Sequence, residues 1–573
     1  MTDIAKAALE YEFPPYSQHA YKDIIVHNGK SHKCPVYVRR VPPCTNACPA
    51  GEDIRGYNNI IRGIEKSDKH LEAAWRRIVD VNPFPAIMGR ACPAPCQKAC
   101  NRNHVDDHVG INALEQFLGD YAISHNLALE KPKASTGKKA AVVGSGAGGL
   151  SCAYQLARRG HKVVVYEAYP ELGGMMRYGL PPYRASRNVL AAEIKRILDL
   201  GVETRTNTRI GKDVTLDQLR REYDAVYVGI GAHKGRDLPI AGVDVPNVLN
   251  AIEYLTAFNK GEKVKIGKKV VVVGDGNVAM DAVRLSLRLG AEVTLLSGVP
   301  REEMAAIDSE FDDAIAEGTK ILYQLGTVEV LKKNGFASAL RCVRMEKKAK
   351  GEEGWNSPIP FLRYKPVPGT EHDIQADTFI SAIGQNINFA GLETLGQGKP
   401  WMQVDEYFQV KGMDGVFSGG DTLGLALLTT AIGHGRKAAE AMDLIMRGIP
   451  LPKKAMPLEV INIKKQFTAH FLPTTRHVRK HVHISKVLDN FNETLECLGT
   501  AEAESEAKRC MSCGLCFECD NCLIYCPQEA ITKDKKKPIG EVMFTNYKRC
   551  VGCHICSEVC PTGYIDMGMG EGL

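Results

Sequence analysis

The chain has 573 residues, 44% of them apolar and 24% charged, with a net charge of +6; the length asks for several domains rather than one core, and the small charge excess implies neither nucleic acid nor a membrane surface as partner. The opening residues MTDIAKAALEYEFPPYSQHA show no basic start followed by an apolar run, and no run of 18 residues is apolar enough to cross a bilayer, so a cytoplasmic protein without membrane insertion is expected. In such a setting 19 cysteines point to metal rather than to disulfides.

Residues 42–54, PPCTNACPAGEDI, and 82–103, NPFPAIMGRACPAPCQKACNRN, carry Cys44, Cys48, Cys92, Cys96 and Cys100. Spacing by four would set core cysteines on one helix face, but Pro93 and Pro95 break that helix and favour a ligand loop. After the basic linker KPKASTGKK (131–139), AAVVGSGAGGLSCAYQLARRGHKVVVYEA reads as strand, glycine turn, helix and second strand. Gly144, Gly146 and Gly149 permit the tight turn and the approach of a pyrophosphate to the helix N-terminus, and Glu167 ends the second strand where a carboxylate bonds a ribose hydroxyl.

Residues 268–297 repeat the unit, with Gly274, Gly276 and Ala279 as its glycine-turn positions and Asn277, Val278 and Asp281 on the first helical turn. Two Rossmann units, the second inserted in the first, predict one bound FAD and one exchangeable nicotinamide nucleotide; a second unit that binds nothing is the plain alternative. The segment ADTFISAIGQ (376–385), with Gly384 in its turn, and DGVFSGGDTLGLALLTTAIGHGRKAAEAM (414–442) are expected to complete the flavin domain. In the latter, Gly420 and Asp421 would reach the ribityl or phosphate region, and a helix beginning near Thr430 would point its N-terminus at the cofactor.

At the far end, Cys516, Cys519, Cys522, Cys526 and Cys550, Cys553, Cys556, Cys560 repeat C-x2-C-x2-C-x3-C-P with an offset of 34 residues. In two-cluster ferredoxins the fourth cysteine of each run crosses to the other cluster. Cys516, Cys519, Cys522 and Cys560 should therefore hold one [4Fe–4S] cluster, and Cys550, Cys553, Cys556 and Cys526 the other. A zinc ribbon, the alternative, would leave the third and fourth cysteines of each run idle. The run KDKKKP, containing Lys535 to Lys537, reads as a solvated loop between the halves.

PCTNACPAG, NPFPAIMGRACP, GSGAGGLS, ELGGMMRYGLPPYR (171–184), GDGNVAMD and GGD together resemble the small subunit of bacterial glutamate synthase and the N-terminal half of dihydropyrimidine dehydrogenase, over about residues 35–450. The resemblance implies a helical domain with two [4Fe–4S] clusters over 1–130. It also implies interleaved FAD (131–255 and 376–450) and NAD(P)H (256–375) domains; a linker (451–505) and the ferredoxin domain (506–573) follow. The fold class is multidomain α/β and α+β. By the same resemblance, Gly173, Gly174 and Met175 through Arg184 line the isoalloxazine, and Cys48, Cys92, Cys96 and Cys100 hold one N-terminal cluster.

The family's other N-terminal cluster needs a C-x2-C ahead of Cys44, where this chain has VYVRRVPP. The missing wording stands at 506–514 as EAKRCMSCG, which suggests that Cys510 and Cys513 fold back to join Cys44, with Glu115 as fourth ligand and Cys34 as its rival. Cys152, Cys342 and Cys497 are left over. In NADPH-using members the second Rossmann strand ends in an aromatic and two basic residues; here Ser297, Gly298 and Val299 replace that clamp, with Arg301 nearby, so NADH is favoured.

The expected activity is that of an NAD(P)H:acceptor oxidoreductase. Hydride transfer to a flavin needs no acid–base side chain, so no catalytic residue is assigned. Electrons would pass through four [4Fe–4S] clusters to or from a partner redox protein docking near the ferredoxin domain. By resemblance, the partner candidates are a 2-oxoacid oxidoreductase, dissimilatory sulfite reductase or, least readily, the glutamate synthase large subunit; a homodimer is compatible. An electron-bifurcating subunit and a flavin-independent wiring subunit are the alternatives.

Overall fold

The structure, a computed structural model, describes residues 33–453, 457–534 and 536–569; the opening residues 1–20 and Lys535 lie outside them. Two five-stranded parallel sheets form the centre. The first runs Val416–Ser418, Ala225–Val228, Lys139–Val143, Lys162–Tyr166, Glu203–Arg205. Its middle strands are buried beyond their first residue, as a sheet covered on both faces requires. The helix Ala147–Ala157, buried along its whole length, leaves the end of Lys139–Val143 and packs against Leu428–Met446.

The second sheet runs Lys320–Leu322, Glu292–Leu296, Lys269–Val273, Thr378–Ser381, Val248–Asn250. Two expected boundaries move as a result. Val248–Asn250 and Thr378–Ser381 both belong to this second sheet, so residues 376–385 do not return to the first sheet, where the second half of a flavin domain would place them. Thr378–Ser381 is buried at every position, and an apolar strand of that kind carries no mark of which parallel sheet it will enter. The chain crosses between domains instead at Lys234–Gly235 and Gln385–Asn386, which pair antiparallel with each other. An antiparallel sheet built on the hairpin Leu325–Lys333 and Phe336–Lys347 covers the second sheet.

The N-terminal domain is a bundle of short helices around Trp75, Tyr57, Phe84 and Leu114. Three of them, Pro43–Ala47, Pro85–Ala91 and Pro95–Lys98, start on proline, whose fixed φ suits a first helical turn and whose missing N–H costs nothing there. Residues 457–505 of the expected linker run over this domain as a strap. Arg479 donates to Gly89 O and Asn112 Oδ1 at 2.6 Å each, and the helix Thr500–Lys508 packs on Ile54–Ile61 and Ile111–Ser124. The ferredoxin domain gains a strand from the other end of the described chain, Cys34–Tyr37 pairing with Ile565–Gly568.

Candidate functional site

A cavity of about 570 Å³ opens at the carboxyl ends of the first sheet, where open α/β folds bind their ligands. Gly144, Gly146, Glu167, Gly174, Met175, Gly420 and Asp421 line it. Gly149 stands behind the wall, packed so tightly that a Cβ would meet Gly144 O at 1.9 Å, and a Cβ on Gly174 would meet Gly146 Cα at 2.5 Å. These are glycine positions because backbone lies where a side chain would. Glu167 accepts from the backbone N–H of Ser145 and of Tyr169, both at 2.9 Å. Gly173 is held behind the loop by its N–H to Ser145 O at 3.1 Å. Burial pushes the Asp421 carboxyl upward, opposed by the Ala426 N–H it accepts at 3.1 Å.

Three expectations for this cavity change. The helix begins at Leu428, not Thr430, and Leu428 and Ala431 are the residues that reach the wall. Gly384 takes φ +114° at the domain crossing, its carbonyl accepting from Arg236 N at 3.0 Å. Arg184 faces the other domain: its guanidinium meets Asp281 at 2.9 Å and Glu310 at 2.8 Å, all three buried. Arg209, Lys212, His233 and Asn388 line the cavity without any motif to announce them. Burial lowers the His233 pKa, and its Nδ1 has no partner among the described residues. Glycines that clear a close approach, cations and an unpaired buried ring nitrogen fit the phosphates and sugars of a dinucleotide.

On the second sheet, Gly274 has φ +146° and a Cβ there would meet Ala382 O at 2.4 Å. Gly276 caps the helix Asn277–Arg288, which opens with Asn277, Val278 and a buried Ala279; Asn277 Oδ1 accepts from Ile307 N at 2.9 Å. Beyond the strand, Ser297 Oγ donates to Val299 O at 2.8 Å, and a Cβ on Gly298 would meet the Phe361 ring at 2.4 Å. Arg301 is paired with Asp308 and stacked 4.0 Å over Phe311.

The cysteines fall into four sets. Cys48, Cys92 and Cys96 share their surroundings with Glu115, whereas Cys44, Cys100, Cys510 and Cys513 ring a common cavity. Cys100 and Glu115 thus stand in each other's expected places. The reason is local: Cys96 lies in the first turn of Pro95–Lys98, and the chain turns before Cys100 caps Asn101–His104. Cys560 neighbours Cys516, Cys519 and Cys522, and Cys526 lines a cavity with Cys550, Cys553 and Cys556, the crossing expected from the spacing. Cys34 lies against Cys550, far from the site where it was a rival ligand. Among the described residues no three His, Cys, Asp or Glu side chains close on a point that would hold a single metal ion.

Burial pushes Cys48, Cys513 and Cys516 up to about 12, so these thiols ionise only when a cation compensates, as iron does. Glu115 is buried beside Glu52, and Asn82 Nδ2 donates to both at 2.8 Å. Burial lifts Glu52 to about 7, and burial together with Glu52 lifts Glu115 well above the carboxylate range. The returning segment is fixed by Arg55, which donates to Cys513 O at 2.8 Å, by Arg62 on Cys510 O, and by Ser512 Oγ on Asn59 at 2.5 Å.

The family model for pyridine nucleotide-disulphide oxidoreductases matches residues 138–435, that for dihydropyrimidine dehydrogenase domain II, 4Fe-4S cluster, matches 26–127, and that for the 4Fe-4S dicluster domain matches 515–564. The chain is 33% identical to the beta subunit of NADP(+)-dependent formate dehydrogenase from Moorella thermoacetica, over 82% of this chain and 70% of that one. It is 34% identical to the beta subunit of NADPH-Fe(3+) oxidoreductase from Geobacter sulfurreducens (82% and 75%), and 31% identical to the NADPH glutamate synthase small chain of Azospirillum brasilense (70% and 86%). No helix among the described residues is long and apolar enough to cross a membrane. The chain belongs to the pyridine nucleotide-disulphide oxidoreductase family, as an NAD(P)H-dependent iron–sulfur flavoprotein of the glutamate synthase small-subunit type with a ferredoxin domain added.

Proposed function

We propose that the chain passes electrons between NADH, preferred over NADPH, a bound FAD and four [4Fe–4S] clusters, to or from a partner redox protein. A flavin exchanges hydride with nicotinamide and single electrons with iron–sulfur centres, and the clusters hold those electrons one at a time. The dinucleotide would rest on Gly144, Gly146 and Gly174, with Glu167 at its ribose and Arg209 and Lys212 near its phosphates. The cluster ligands would be Cys48, Cys92, Cys96 and Glu115; Cys44, Cys100, Cys510 and Cys513; Cys516, Cys519, Cys522 and Cys560; and Cys526, Cys550, Cys553 and Cys556.

The observation that carries this reading is the covalent bridging of successive sets. Cys44 to Cys48, Cys96 to Cys100, Cys522 to Cys526 and Cys556 to Cys560 are four residues apart, and Cys513 to Cys516 three. An extended chain spans at most about 14 Å over four residues and about 11 Å over three, so neighbouring sets stay close whatever the domains do. At the flavin end the helix Leu428–Met446 links cavity to cysteines: Leu428 lines the cavity, and Gly433 packs so near Pro49 O that a Cβ would meet it at 2.2 Å, one residue from Cys48. At the other end Val551, between Cys550 and Cys553, is 56% exposed, and Ile524 and Tyr525 beside Cys526 are exposed too. That rim suits a partner, whose identity sets the final substrate.

The nicotinamide preference follows from positions 297–299, which offer a 2′-phosphate no cation, and from Arg301, which is engaged by Asp308 and Phe311. Relatives named above bear NADP(+) or NADPH in their names, which makes the assay decisive. Anaerobically prepared protein should hold about sixteen iron and one FAD per chain, and kcat/KM with an artificial acceptor should be higher for NADH than for NADPH. About eight iron would remove the N-terminal clusters from the scheme; a preference for NADPH would turn Arg301 from Asp308 to the phosphate.

A further inference from the structure

Tyr57 lies at the middle of the helix Ile54–Ile61, which is buried at every position. Its side chain is 0% exposed, and its hydroxyl has no hydrogen-bond partner among the described residues. Buried tyrosine hydroxyls nearly always find an acceptor, so this one calls for an explanation. The ionisable groups that act on it most strongly are the Glu52 and Glu115 carboxyls, Cys96 and Cys44. Both carboxyls turn to Asn82 instead, each accepting from its Nδ2. Sulfur remains within electrostatic reach: Cys96, of the set of Cys48 and Cys92, acts on the phenol more strongly than Cys44, of the neighbouring set. Thr45 Oγ1, in the stretch joining Cys44 to Cys48, is buried and unpaired as well. Two O–H donors without acceptors at the junction of two sulfur-rich sites point to acceptors that arrive with iron and sulfide.

The geometry points to Tyr57 as a hydrogen-bond donor to a sulfur of the iron–sulfur centre held by Cys48, Cys92 and Cys96, raising that centre's reduction potential. The inference rests on the reading that these cysteines hold a cluster. Reduction adds negative charge that spreads over the cluster's sulfurs, and an O–H aimed at one of them stabilises the reduced form more than the oxidised form. The centre packed against the helix that leaves the flavin cavity is thereby made easier to reduce than it would be without the donor.

The test is an EPR-monitored redox titration of the full chain carrying Tyr57→Phe. The expected result is about sixteen iron, one centre with its midpoint lowered by about 59 mV, which is a tenfold change in the reduced-to-oxidised ratio at fixed potential for a one-electron couple, and three centres unmoved. Placing 3-fluorotyrosine at position 57 keeps the shape and strengthens the donor, so the same centre should move upward. Unchanged midpoints in both proteins at full iron content would overturn the inference. If Tyr57→Phe loses iron, the fluorotyrosine protein decides: an upward shift of one centre supports the hydrogen bond, and no shift overturns it. Wild-type protein with about eight iron would instead overturn the cluster reading beneath it.

Discussion

Asp106 lies outside every cysteine set and still governs one of them. It accepts from Arg102 Nε at 2.7 Å, from Arg509 Nη2 at 2.9 Å and from Thr474 N at 2.8 Å, so one carboxylate ties the strap and the residue before Cys510 to the N-terminal domain. Burial alone would raise its pKa, but the hydrogen bonds from Arg102 and Thr474 outweigh it and hold the carboxyl well below its ordinary 3.8. A depressed pKa means stability that is present above pH 3.8 and lost as the pH falls toward the folded-state value. Asp106→Asn should cost about 1–3 kcal/mol at pH 7, because it strips a charge-assisted acceptor from buried Arg509. Guanidinium denaturation followed by visible absorbance would show it, with the gap from wild type closing below about pH 4; an equal gap at all pH values would mean the charge is irrelevant. Single residues of this kind were mostly illegible in the sequence. Gly144, Gly149 and Glu167 were readable because a glycine turn constrains backbone within a few residues. Arg209, His233 and Arg184 were not, because their partners come from strands and helices far along the chain.

At the scale of elements, cysteine spacing carried most of what the sequence could say. The C-x2-C-x2-C-x3-C-P repeat and its crossing needed only local geometry, and the displaced EAKRCMSCG segment, noticed as wording, does bring Cys510 and Cys513 to Cys44. The assignment of Cys100 and Glu115 failed because it depends on how two short helices meet. Spacing by four suggests one face, but Ala94 adopts φ +50° ahead of the helix Pro95–Lys98, and the helix ends at Ala99, so Cys96 and Cys100 serve different sets. The consequence is a pattern of paired losses. Cys100→Ala and Cys513→Ala should each abolish the same EPR signal, and the double variant should lose no more iron than either single one, about one cluster. Glu115→Ala should disturb a different signal. If Cys100→Ala instead matches Cys92→Ala, the grouping around Cys44 is wrong.

Across the whole molecule the chain closes on itself. Cys34–Tyr37 adds a strand to the ferredoxin domain, Tyr37 stacks on Tyr564 at 5.6 Å, and Arg40, 1% exposed, donates to Gly563 O at 2.8 Å and meets Asp566. The ferredoxin domain is therefore clamped from both sides, by this strand and by Cys510 and Cys513, rather than carried on a free arm. None of the pairing with residues 34–40 was visible in the sequence, because a four-residue edge strand names no partner. Ending the chain after Lys508 separates ligand loss from loss of packing. That cut keeps Thr500–Lys508 on the N-terminal helices, with Glu506 still accepting from Gly110 N, and removes Cys510 and every later cysteine. The shortened protein should keep its flavin, still be reduced by NADH, and hold about four iron, those of the set around Cys48, because the neighbouring set is left with Cys44 and Cys100 alone. Iron and flavin analysis with anaerobic NADH titration would measure this. A shortened protein holding about eight iron would show that Cys44 and Cys100 find ligands locally, and the returning segment would then be a structural clamp without a part in the electron path.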